Sequence, residues 1–119
     1  MPARLRGGRV RSLERLVAGI ESHADWISKQ ILEHRTLRVR GFDVEKPEDF
    51  ERVARLICAT LGNDYLGTSP RDQRTDYVFN ASELPDYFPI PQHCEMSFRA
   101  TPPPISTLLL CGALYARKR

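Results

Sequence analysis

The residues best suited to chemistry lie late in the 119-residue sequence, in the run His93-Cys94-Glu95-Met96-Ser97-Phe98. Side chains of a strand alternate between its faces, so a strand here puts His93, Glu95 and Ser97 on one side and Cys94, Met96 and Phe98 on the other. The second set is apolar and suits a packed layer. The first is polar and suits a cavity. An imidazole and a carboxylate two residues apart can point at one metal ion, and His with a carboxylate in a facial arrangement is the ligand pattern of non-haem iron(II) centres. The same spacing also suits a hydrogen-bonded pair on a half-exposed sheet. The triplet is short enough to arise by chance, so spacing alone leaves both readings open.

Positioning such a pair requires a framework. Leu13, Leu16, Val17 and Ile20, then Ile27 and Ile31, fall at helical spacing, predicting one helix or two short ones over 12–34. Leu37 and Val39 alternate with Arg38 and Arg40, predicting a strand over 36–42 that Gly41 breaks. Pro47 suits a first helical turn, with Glu48 and Asp49 where the helix dipole favours acids. The stripe Phe50, Val53, Ala54, Ile57 and Leu61 continues that helix to Gly62. A polar loop is expected over 63–76, a short strand at Tyr77-Val78-Phe79, and an irregular Pro-rich segment over 82–91. Strands follow over 92–98 and 105–111. Helices first, then strands between Pro-rich turns, argue for an α+β chain with a sheet core and helices outside.

Composition narrows the function classes. Apolar residues make up 41% and charged residues 28%, as in an ordinary globular protein. No apolar run approaches the roughly 20 residues needed to cross a bilayer. The net charge of +3 is concentrated at the ends, in Arg4, Arg6, Arg9 and Arg11 and in Arg117, Lys118 and Arg119. Residues 1–11 therefore read as a flexible basic tail ahead of one domain over 12–119. A nucleic-acid partner is not expected, because a binding face needs basic residues clustered on one structured surface. The scarcity of Ser there argues against a transit peptide. Three cysteines, Cys58, Cys94 and Cys111, without a C-x-x-C pair read as reduced thiols of a cytoplasmic protein.

The run Ile90-Pro91-Gln92-His93-Cys94-Glu95-Met96-Ser97-Phe98, followed by Pro102-Pro103 and an apolar strand ending at Cys111, resembles the taurine/alpha-ketoglutarate dioxygenase (TauD/TfdA-like) family. That family carries a stretch like P-x-H-x-E-x-S-[YF], a short gap, a proline and an apolar strand ending in Cys. Leu37-Arg38-Val39-Arg40-Gly41-Phe42 resembles its strand before an "RGF" turn, and Leu66-Gly67-Thr68-Ser69-Pro70-Arg71 its "SPR" loop. Ser82-Glu83-Leu84-Pro85 resembles its acidic-proline element. Four short matches in the right order are more specific than one triplet.

The resemblance implies N-terminal helices packed on a double-stranded β-helix, the jelly-roll of the clavaminate synthase-like type. It implies Fe(2+) held by His93, Glu95 and a distal His. The cosubstrate is 2-oxoglutarate, which chelates the iron and pairs with an Arg through its far carboxylate. Decarboxylation to succinate accompanies oxidation of a substrate C–H bond, with the cofactors carrying the chemistry. Tyr65, Arg71 and Asn80, near the metal strand, are candidates for the substrate mouth; ordinary loop packing is the simpler reading of each. His23 and His34 precede His93, whereas the family's third ligand follows it.

No histidine follows His93, and Gly112 to Arg119 does not match the family's next segment. The expectation is an incomplete jelly-roll, a truncated and by itself inactive dioxygenase whose distal His and 2-oxoglutarate Arg are absent. Its open sheet edge calls for a second copy or a complementing chain. The alternative is a non-catalytic remnant or small interaction domain with the front half of the fold. The substrate is a small organic molecule of unspecified type.

Overall fold

The computed structural model describes residues 3–8, 10–63, 71–80, 87–89, 91–92, 100–101, 105 and 107. The helical spacing of the first apolar residues resolves into two helices, α1 (Leu13–Ser22) and α2 (Ala24–His34). The Ser12 side chain caps α1 by accepting from the Arg15 amide at 3.4 Å, and Glu14 sits in the first turn. Leu16, Val17 and Ile20 bury one face of α1, and Ile27 that of α2. At the far end of α2, Arg35 turns left-handed at φ 59, and its amide donates to the Ile31 carbonyl at 2.9 Å.

The alternation of 37–40 forms a strand, β2 (Leu37–Arg40), with Leu37 and Val39 half-buried and Arg38 and Arg40 exposed. Its neighbour is β1 (Ala3–Arg6), which runs parallel to it. Parallel neighbours need a crossover of a dozen or more residues, and α1 with α2 supplies it. The flexible tail expected over 1–11 is therefore corrected at Ala3–Arg6. Leu5 lies between Arg4 and Arg6 and packs toward the core, and one edge of the β1 backbone pairs with β2. Beyond β1 the Gly7 amide donates to the Arg40 carbonyl at 3.0 Å. A Cβ at Gly7 would run into the Gly41 carbonyl, and Gly41 itself has φ +81, a region open to glycine.

The third helix, α3 (Pro47–Ile57), has Pro47 at its start and Glu48 and Asp49 in its first turn, as expected. It buries Val53 and Ala54 but ends before the stripe reaches Leu61. Ile57, Cys58, Thr60 and Gly62 are all weak helix formers, and Cys58 is already extended. Leu16, Ile20, Ile27 and Val53 make one core, onto which Leu5, Leu37, Val39 and Phe42 pack from the sheet side. Three helices on a two-stranded parallel sheet give the described region an α+β arrangement.

The expected strand at Tyr77-Val78-Phe79 is replaced by a small hairpin over 71–80. Only Phe79 pairs, antiparallel with Gln73, while Tyr77 and Val78 belong to the turn between them. Gln73 comes from the expected 63–76 loop, most of whose remainder lies outside the described residues. The strands expected over 92–98 and 105–111, and with them the jelly-roll, also lie almost wholly outside. Among the described residues no helix is long and apolar enough to cross a membrane.

Candidate functional site

The α3 face opposite Val53 and Ala54 carries Glu51, Arg52 and Arg55, one helical turn apart or adjacent. Glu51 and Arg55 form an i,i+4 ion pair at 2.9 Å. Arg52 reaches back to α1 and grips the Glu14 carboxylate with two bonds, 2.7 and 3.0 Å. This fork lowers the pKa of Glu14 and raises that of Arg52, the hydrogen bond being the larger cause and the opposite charge the second.

The hairpin docks on this face. Thr75 donates its hydroxyl to the Glu51 carboxylate, and the Arg55 guanidinium lies 4.3 Å from the centre of the Tyr77 ring. The Thr75 oxygen accepts from the amides of Tyr77 and Val78 at 3.3 and 3.1 Å, so one hydroxyl both shapes the turn and anchors it. The Thr75 bond is the largest influence on Glu51 and holds its carboxyl below the ordinary carboxylate range. Partial desolvation opposes this, and Arg55 adds to it. A groove of about 560 Å³ runs between α3 and the hairpin, lined by Glu48, Glu51, Arg52, Arg55, Leu56 and residues 74–76. Its carboxylate Glu51 is committed to Thr75 and Arg55, so the arrangement is a clamp rather than an acid–base pair.

Arg71 and Asn80, both expected near a substrate mouth, stand together at the base of the hairpin. Arg71 donates to the Asn80 carbonyl at 3.3 Å. The Asn80 side-chain oxygen accepts from the Asp72 amide at 2.8 Å, and the Asn80 amide donates to the Asp72 carbonyl at 3.0 Å. These bonds close the hairpin. His93, Glu95 and Tyr65 lie outside the described residues. Among the described residues no three His, Cys, Asp or Glu side chains gather as a metal site would require. His34 lies in the last turn of α2. His23 joins α1 to α2, its Nδ1 2.9 Å from both the Gly19 carbonyl and Ser22 Oγ. Cys58, beyond α3, donates its thiol to the Thr60 carbonyl at 3.4 Å.

Sequence reasoning did not single out Thr75, Glu51 or Tyr77. Their contacts join residues more than twenty positions apart, and a Thr in a polar loop carries no local mark of such a partner.

No curated protein and no solved structure matches the chain. A match does come at the level of family, and it takes in α1, α2, β2, α3 and the His93–Glu95 run, with β1 just before its start. Over residues 7–113 the sequence matches the Taurine catabolism dioxygenase TauD, TfdA family, and the chain belongs to that family.

Proposed function

We propose that this chain carries the iron-binding strand of an iron(II)- and 2-oxoglutarate-dependent dioxygenase, with His93 and Glu95 as two of the protein ligands. Family membership makes dioxygenase chemistry the group-level activity. The observation that carries the reading is the extent of the match, which encloses His93 and Glu95 together with α1, α2, β2 and α3 before them. The donor set fits: a neutral imidazole nitrogen and a carboxylate oxygen are two of the three ligands of the facial triad. When bound, the iron and 2-oxoglutarate supply the oxidising chemistry, with succinate as by-product.

The protein's own part is to orient. On a strand of the proposed jelly-roll, the two-residue spacing turns His93 and Glu95 to one face. The α1–α3 core would back the early strands, and Tyr65, Arg71 and Asn80 would border the entrance for a small organic substrate. No histidine lies between Cys94 and Arg119, so a third imidazole after the pair is not within these 119 residues. By themselves these residues would bind iron(II) weakly and turn nothing over until a longer product, a complementing chain or a second copy completes the site, in a cytoplasmic setting. The second reading is a non-catalytic domain that retains the front of the fold.

Anaerobic titration with iron(II), with and without 2-oxoglutarate, separates the two. Weak binding that His93→Ala and Glu95→Ala each abolish is expected. Binding absent from the unsubstituted chain, or unchanged in both variants, overturns the ligand assignment. Succinate formation that depends on His93 overturns the assignment of no turnover.

A further inference from the structure

The register of β1 on β2 sets Arg4 opposite Arg38 and Arg6 opposite Arg40. All four side chains are exposed, while Leu5, Leu37 and Val39 turn to the core. The arginines therefore share one face of the sheet, with backbone spacings of about 4.8 Å across the strands and about 6.6 Å along them. Like charges directly opposite each other repel. The ion pairs among the described residues join Glu14, Glu51 and Asp72 to Arg52, Arg55 and Arg74, and none of them reaches this ladder.

The ladder adjoins a second feature. Arg6 also borders a groove of about 620 Å³ on the helix side of the sheet edge, whose lining includes Leu5, Leu16, Arg15, His23 and Trp26 and contains no acidic residue. Trp26 is 41% exposed there, an unusual state for the chain's single tryptophan. A track of guanidiniums leading to a concave aromatic wall is the pairing that single-strand recognition uses. Arginine forks grip phosphate oxygens, and exposed rings stack on bases. The expectation of no nucleic-acid partner rested on the front arginines being a loose tail. Arg4 and Arg6 instead belong to a structured face.

We propose that this face, together with the groove at its Arg6 end, binds single-stranded nucleic acid, with backbone phosphates along Arg4, Arg6, Arg38 and Arg40 and one base against Trp26. A duplex keeps its bases stacked inside and leaves the aromatic groove unused. An acidic peptide answers the charges but offers no flat ring. The face uses neither His93 nor Glu95, so the inference stands apart from the iron reading.

The test is fluorescence anisotropy of the whole chain with a short fluorescein-labelled oligothymidylate, across about 50–200 mM salt, where counterion release dominates. Four phosphate contacts on a single strand predict a slope of log K against log salt of about −2.8, and Arg38→Ala with Arg40→Ala brings it to about −1.4. Emission from Trp26 falls on binding. Trp26→Leu weakens binding without moving the slope, and His93→Ala binds as the unsubstituted chain does. Circular dichroism checks the folding of the arginine variant. If that variant does not fold, Arg38→Gln alone brings the slope to about −2.1. No binding at the lowest salt, a slope the arginine variants leave unmoved, or constant Trp26 emission overturns the proposal. Equal binding of duplex, or of polyglutamate, does the same and points to a generic polyanion or an acidic protein partner.

Discussion

The α1–α3 layer and the 71–80 hairpin are held in opposite ways. The layer is built on buried apolar side chains, with Leu16 and Ile20 almost wholly enclosed. In the hairpin no side chain is fully buried, and its ties to the layer include a hydroxyl on a carboxylate and a ring against a guanidinium. Apolar burial is non-directional and insensitive to protonation, whereas polar ties depend on geometry and charge. The two regions should thus answer differently to substitution and to acid. The hairpin is also where two candidate substrate residues, Arg71 and Asn80, stand.

The largest effect falls in the layer. Ile20→Ala removes a fully buried side chain at the centre of the core and should cost about 2–5 kcal/mol, since partial relaxation leaves a cavity. Urea unfolding followed by circular dichroism measures it. A loss below about 1 kcal/mol would mean that α1 is not packed as described and would break the comparison at its stronger end.

The same contrast explains what the sequence revealed. Apolar periodicity is a local signal, so Leu16, Val17, Ile20, Ile27, Val53 and Ala54 announced both their helices and their burial. Pro47, Glu48 and Asp49 marked the start of α3 for the same reason. β1 was not legible. It has one apolar residue, Leu5, between two arginines, and its partner lies more than thirty residues away. The hairpin clamp was hidden because Thr75 and Glu51 are both unremarkable polar residues until the chain brings them together. Of the candidate site, Arg71 and Asn80 were found close in space. The pairing of His93 with Glu95 rests on strand alternation and family membership.

A second substitution sharpens the comparison at the hairpin. Thr75→Val keeps the shape of the side chain but removes its bonds to Glu51 and to the Tyr77 and Val78 amides. Backbone NMR should show shifts and faster amide exchange confined to 72–80, with the urea midpoint of the core nearly unchanged. Acid should mimic it. The folded Glu51 carboxyl titrates below its ordinary value near 4.5. Its contribution is complete above that value and is lost as the pH falls through the lower, folded one. Hairpin resonances of the unsubstituted chain should therefore move toward those of Thr75→Val below about pH 4.5, while those of α1 hold. A core that loosens together with the hairpin in either experiment would show the two regions to be one cooperative unit.

The smallest effect tests whether a polar tie matters wherever it occurs. Arg52 and Glu14 form the best-aligned ion pair described here, yet both side chains are largely exposed, at 48% and 71%. Water and salt screen such a pair, and holding two long side chains in one geometry costs entropy. The α1–α3 contact it spans is already made by Leu16, Ile20 and Val53 beneath. Glu14→Gln should therefore leave the urea midpoint almost where it was, with any difference vanishing as salt rises. Around the Glu51–Thr75 bond the apolar side chains Leu56, Val78 and Phe79 are only half-buried, so this contact should matter more to its region. A loss for Glu14→Gln that approaches the loss for Ile20→Ala and persists in high salt would mean that charge, rather than burial, joins α1 to α3.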